Sequence, residues 1–242
     1  LREKVNVQAG CDKELAAKNQ YLAGLIYHKK LNDLIKAKVA YSKAMTIHPK
    51  SSYVAKAQNK LTGLNSELTT NCRKIYDLSQ EKYRAGLYQE SVEILDITTR
   101  MEGCDEEINS KAFYLIGWNY ANDQGALDTA RAIYQKVVDS FSPGLKYVDK
   151  AEKRLAGYKI NDLSVAAYDE GNFEVALALR EQVVMEKGFD KELKAKNQYF
   201  IGYIYQYKLE EPDKAKEAYR KVGKIHSKSR YVDKAEQKLA TL

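Results

Sequence analysis

Proline is scarce in this 242-residue chain, with three in all, so little in it is built to interrupt a helix. Cysteine is scarce too. Its count of three is odd, so the cysteines cannot all pair with one another, and no C-x-x-C occurs. No run of about 18 apolar residues exists to span a bilayer, and no basic start followed by an apolar block reads as a signal peptide. No block of about five or six basic residues supports nucleic-acid binding. H-E-x-x-H, G-x-S-x-G and phosphate-loop glycine patterns are all missing. The acidic "CDEE" at Cys104 is followed by no oxygen-ligand loop of the calcium kind. These absences exclude the common routes to catalysis, so the expectation is a chain that is not an enzyme, with no cofactor, no metal site and no small-molecule substrate.

What is present is enough for a buried core: 44% of residues are hydrophobic and 30% charged. The formal net charge of +7, with a pI near 9.0, favours an acidic partner or surface. The main signal is internal repetition. "DKELAAKNQY" at Asp12 returns as "DKELKAKNQY" at Asp190, and "YVAKAQNKL" at Tyr53 returns as "YVDKAEQKL" at Tyr231. A third copy runs from "CDEEINSKAFYLIGWNY" at Cys104 to "YVDKAEKRL" at Tyr147. Tyr27, Tyr120 and Tyr205 recur at offsets of 93 and 85, as do Ala37, Ala130 and Ala215. "LREKVNVQAG" at Leu1 matches "LREQVVMEKG" at Leu179, in the middle of a unit, so the array is expected to belong to something longer.

Within each copy the apolar residues fall at helical spacing, as at Leu22, Leu25 and Ile26, then Ala37, Tyr41 and Ala44 after a polar turn near Lys30 to Asp33. Two antiparallel helices follow. The first carries Gly24, Gly117 or Gly202, where a missing side chain lets the partner helix approach closely, at about 1 kcal/mol of propensity. Shorter units between the copies place Gly86 and Gly171 at a turn. Gly10, Gly103 and Gly188 suit left-handed helix stops, and Asp12, Asp105 and Asp190 follow at helix starts. The stretch around "LNSELTT" reads as a loop. His48 and His226 are repeat equivalents at a helix end, where a basic ring meets the dipole favourably. Cys11 and Cys104 are equivalent to Phe189, which argues for an apolar position and against redox or metal chemistry. A Cys72–Cys104 bridge is topologically allowed, but two buried thiols are the favoured reading.

Measured from Gly24, the order of glycine, Tyr27, Ala37, Tyr41, Ala44 and Pro49 resembles a tetratricopeptide repeat of about 34 residues. The usual early tryptophan is missing, and the closing proline is Ser227 in the last copy. The tail, Pro-x-Ser-x-Tyr then Lys-Ala then Leu, is similar to the subclass found in bacterial cell-envelope proteins, of the TolA-binding periplasmic and outer-membrane assembly lipoprotein type. The resemblance implies an all-α fold, a right-handed α-solenoid of antiparallel helix pairs, in a bacterial envelope complex. A single solenoid over 1–242 is expected, in units of about 1–10 (partial), 11–64, 65–103, 104–157, 158–188 and 189–242.

It also implies a concave groove lined by one face of each first helix. That face would present Lys18, Tyr21, Lys29, Arg73, Tyr76, Tyr83, Arg84, Lys111, Tyr114, Trp118, Lys196, Tyr199, Tyr203 and Tyr207 to a partner. The 25 positions of that register hold six Lys or Arg against one acid, nine of the 19 tyrosines and the only tryptophan. Two readings carry equal weight: the rings pack between helices, or they form a basic, aromatic groove for an acidic or acceptor-rich peptide. A protein-binding scaffold is the expected function. The alternatives are a helical domain of a larger enzyme, or a structural protein that self-associates through its solenoid ends.

Overall fold

The computed structural model describes residues 12–101 and 103–242 and is all-helical there, with eleven helices and no strand among the described residues. They are α1 (Lys13–Lys29), α2 (Leu34–Ile47), α3 (Tyr53–Arg84), α4 (Tyr88–Arg100), α5 (Glu106–Asn122) and α6 (Leu127–Ser140), then α7 (Lys146–Asp169), α8 (Phe173–Met185), α9 (Lys191–Tyr207), α10 (Pro212–Ile225) and α11 (Tyr231–Leu239). The chain divides into two compact units. The first ends at Asp77 and takes in Arg100–Asp105; the second comprises Leu78–Thr99 and Glu106–Leu242. In the second unit each helix from α5 onward packs on the next, and α5, α7 and α9 also touch one another. Such sequential stacking is the arrangement of an α-solenoid.

The expected close approach of paired helices is present in all three strong copies. A Cβ built on Gly24, Gly117 or Gly202 would lie 2.5, 2.8 and 2.7 Å from the ring of Tyr41, Tyr134 and Tyr219 respectively. Those three tyrosines are essentially inaccessible to solvent, so the glycine is the socket and the ring fills it. Each socket is closed by two further rings. Tyr21 stands 5.9 Å from Tyr41 and 5.6 Å from Tyr53; Tyr114 stands 5.6 Å from Tyr134 and 5.5 Å from Tyr147; Tyr199 stands 5.5 Å from Tyr219 and 5.6 Å from Tyr231. Each such ring pair contributes about 0.5–1.5 kcal/mol beyond area burial.

Two expectations about the middle of the chain are corrected. "LNSELTT" is helix and not loop, because α3 runs unbroken for 32 residues, about 48 Å at 1.5 Å per residue. Ala57, Leu64, Leu68 and Cys72 are buried along one face of it, a spacing of three to four that outweighs the weak propensities of Gly63, Asn65 and Ser66. Helix α7 holds the same place one copy later with 24 residues. The difference of eight matches the difference between the two repeat offsets, so the extra residues were absorbed as helix. The second correction concerns sulfur: Cys72 and Cys104 are bonded, with Cα atoms 5.5 Å apart. The segment that brings Cys104 back to α3 turns at Gly103, whose φ of 88° is left-handed and whose Cβ would meet Leu68 at 2.7 Å. Gly10 and Cys11 lie outside the described residues.

Candidate protein-interaction face

In the second unit, one face gathers side chains from the last turn of α3, from α5 and from α7. Tyr83 meets Trp118 edge-on with ring centres 5.5 Å apart, and Tyr88 at 5.2 Å. One helical turn earlier on α5, Tyr114 joins Tyr147. Over these rings stand cations. Lys150 Nζ is 5.0 Å from the centre of Tyr147 and 5.9 Å from that of Tyr114, while Lys111 and Lys146 approach Tyr147 at 5.8 and 5.9 Å. The stacked lysine is a repeated device, since Lys56 lies 4.8 Å over Tyr53 and Lys234 lies 5.1 Å over Tyr231.

The middle copy is crowded with cations, as is the last, where Arg230, Lys234 and Lys238 repeat the spacing and Lys196 repeats the place of Lys111. Lys146, Lys150 and Arg154 recur every four residues, so they line one stripe of α7, and Lys111 faces them from α5. Like charges at this spacing repel. Burial, then Lys146, Arg154 and Lys111, hold the Lys150 ammonium below the ordinary lysine range, and Lys150 has no ion-pair partner among the described residues.

Arg154 is spoken for. Its Nη1 donates to Asp190 Oδ1 at 2.8 Å, and its Nε and Nη2 donate to the Tyr114 hydroxyl at 3.2 and 3.1 Å. Asp190 is fully buried and accepts three more bonds, from Asn122 Nδ2 at 3.2 Å, Tyr134 at 3.1 Å and Tyr158 at 3.0 Å. Burial raises its carboxyl, and Arg154 and those donors oppose the rise. Burial lowers the Arg154 guanidinium, but Asp190, Tyr114 and Tyr134 together outweigh that cost and leave it raised. Both shifts are upward, which favours the neutral acid at Asp190 and the charged form at Arg154; Asp190 is the more deeply buried partner, and the four donors around it are the arrangement that suits a carboxylate. Asp12, the matching letter of the first copy, is exposed and caps α1 by accepting from the Glu14 N–H at 3.0 Å. His226 ends α10, as expected, but its Nε2 lies 2.8 Å from the Asn122 carbonyl at the end of α5.

The sequence-derived groove residues divide by burial. Tyr76, Tyr114 and Tyr199 are buried and serve as core. Tyr21, Tyr83, Lys111, Trp118, Lys196 and Tyr203 are half-buried, whereas Lys18, Lys29, Arg73, Arg84 and Tyr207 are exposed. The structure brings Tyr83, Tyr114, Trp118 and Lys111 into the face just described. Near the C-terminal helices, Tyr203 and Tyr207 form a separate pair at 4.7 Å, with Lys238 donating to the Tyr207 hydroxyl at 2.7 Å. Burial, then Arg180, lowers the Lys196 ammonium. Lys18, Tyr21, Lys29, Arg73 and Tyr76 belong to the first unit. Sequence reasoning missed Lys146, Lys150 and Arg154, although their four-residue spacing was visible in "KYVDKAEKR".

A cleft of about 340 Å³ opens in this face, with Tyr83, Tyr114, Trp118, Lys150 and Arg154 among its walls. No helix among the described residues is long and apolar enough to cross a membrane.

Models described as tetratricopeptide repeat match residues 17–51 and 195–225, and a second model of the same description matches 111–142. These segments coincide with the three glycine–tyrosine sockets. No curated protein matches the chain. A solved structure, the "TPR2AB-domain:pHSP90-complex of yeast Sti1", aligns with 93% of this chain and 98% of that chain, at 18% identity and a TM-score of 0.27.

Proposed function

Starting from a chain that carries tetratricopeptide repeats, we propose a protein-interaction scaffold whose binding surface is the basic, tyrosine-lined face of α5 and α7. The observation that supports it most is Lys150: a cation held over two rings, crowded by three others and matched by no carboxylate among the described residues. Such a group is relieved when an anion arrives, so the face suits an acidic, acceptor-rich segment of a partner. Tyr83 and Trp118 add rigid contact area beside the charge. The reading includes no chemical step.

We place the protein in an oxidising compartment, of the bacterial envelope kind. The Cys72–Cys104 bond supports this, since disulfides persist where thiol reductants are absent, and the tail motif resembles the envelope subclass of these repeats.

The test is titration with acetylated, amidated hexaglutamate, followed through Trp118 emission, with hexalysine as control. Binding of hexaglutamate alone, weakened in Lys150→Glu and by salt, is the expected result. No response to hexaglutamate, or equal responses to both peptides, refutes the reading.

A further inference from the structure

The cleft in this face has a polar floor that its basic rim does not explain. Asn119 on α5 and Ser91 on α4 both line it, and each is only 1% exposed. Neither the Asn119 Oδ1 nor the Ser91 Oγ finds a hydrogen-bond partner among the described residues. An amide and a hydroxyl so placed offer a donor and an acceptor side by side. Leaving such buried groups unanswered is expensive in a specific complex, so they select for a ligand group that answers both. Two other buried amides of the unit are satisfied: Asn197 Nδ2 donates to Asn161 Oδ1 at 3.1 Å and to the Leu193 carbonyl at 2.9 Å, and Asn122 bonds Asp190 and the Lys191 N–H. Other buried atoms of this unit also lack a partner among the described residues, Asn109 Oδ1 and Arg180 Nε among them, but Asn119 and Ser91 are the two that line the cleft.

Resting on the function proposed above, we infer that the cleft is a specificity subsite for a primary side-chain amide, a glutamine or asparagine, flanked by acidic residues in the partner segment. A carboxamide presents donor and acceptor in one plane on adjacent atoms, which matches the Asn119 amide. Its stem packs against the Tyr83 and Trp118 rings in the cleft wall, and the neighbouring carboxylates reach Lys150 at the rim. A backbone amide, with substituents on both sides, is a poor fit for a cleft of this size. Arginine carries donors alone and would meet Lys150 and Arg154 as a like charge.

The experiment compares two acetylated, amidated hexapeptides of equal charge, Glu-Glu-Glu-Gln-Glu-Glu and Glu-Glu-Glu-Leu-Glu-Glu, by titration into the isotopically labelled chain. The expected result is about tenfold tighter binding of the glutamine peptide, with shifts of the Asn119 side-chain amide and the Trp118 indole N–H. Asn119→Leu should abolish the preference. Should Asn119→Leu not fold, Ser91→Ala is expected to reduce the preference, and the comparison on the unaltered chain decides without any variant. Equal affinity for both peptides overturns the subsite and leaves the acidic-segment reading standing. If neither peptide binds, both fall.

Discussion

The glycine–tyrosine socket makes opposite predictions for one chemical change at two places. In Gly117→Ala the new Cβ would lie 2.8 and 3.0 Å from Tyr134 Cε1 and Cδ1, and 3.3 Å from Ile133 Cγ2. The ring has nowhere to go, because Tyr134 is fully buried and its hydroxyl donates to Asp190 at 3.1 Å. Helix propensity favours alanine by about 1 kcal/mol, whereas overpacking a closed core costs about 1–3 kcal/mol, and a stretched hydrogen bond adds about 1 kcal/mol. The net is a loss of about 1–3 kcal/mol, or roughly 2–12 °C in Tm for a chain of this size. In Gly63→Ala the same methyl meets nothing within 4 Å on an exposed turn of α3, so propensity acts alone and Tm should rise by about 2–4 °C. Urea melts followed by Trp118 emission and by helical circular dichroism measure both variants. If both substitutions stabilise alike, the socket does not hold the helices, and the close approach is incidental.

Three other perturbations follow from the same contacts. Arg154→Met leaves the Asp190 carboxylate buried without its cation, a loss of about 3–5 kcal/mol. Because burial raises Asp190, the folded chain binds its proton more tightly than the unfolded chain, so the deficit measured in pH-dependent melts should shrink as pH falls through the folded value toward the ordinary carboxylate range. Reducing the Cys72–Cys104 bond, which spans 32 residues, should lower stability by about 3–4 kcal/mol on the chain-entropy estimate; a linked tryptic peptide that disappears with reductant but leaves the melt unmoved would contradict it. Hexaglutamate affinity should decline with rising pH through the lowered Lys150 titration, earlier than an ordinary lysine allows, and Lys150→Met should remove that dependence.

The helix pairs, their glycines and the turn at Lys30 to Asp33 were legible because short-range spacing encodes them. The continuity of α3 was legible as well, in the buried row Ala57, Leu64, Leu68 and Cys72, but Gly63 and the polar letters around it read as punctuation. Propensity is a local term of about 1 kcal/mol, and packing one face of the helix overrides it. Which ring positions pack and which face solvent follows the place in the repeat, since Tyr114 and its equivalent Tyr199 are buried while Trp118 and its equivalent Tyr203 are half-buried, but that division was not legible because the next helix decides which position is covered. Least legible was the set of bonds around Asp190, whose partners lie 32 to 68 residues away. The disulfide was out of reach for the same reason, as only the turn at Gly103 brings Cys104 back to α3.

The divergent duties of Asp12 and Asp190 bear on any attempt to redesign the array by averaging its copies. A consensus repeat would keep the aspartate and the socket tyrosine, which recur. It would also replace Arg154 by the lysine found at Lys60 and Lys238, and would lose Asn122, whose counterparts are Lys29 and Tyr207. Every interior repeat of such a polymer would then bury a carboxylate stripped of its fork of donors, a penalty that multiplies with repeat number. A stable consensus array from this template therefore has to be seeded from the middle copy with the junction to its successor kept whole, the unit of inheritance being the interface and not the repeat.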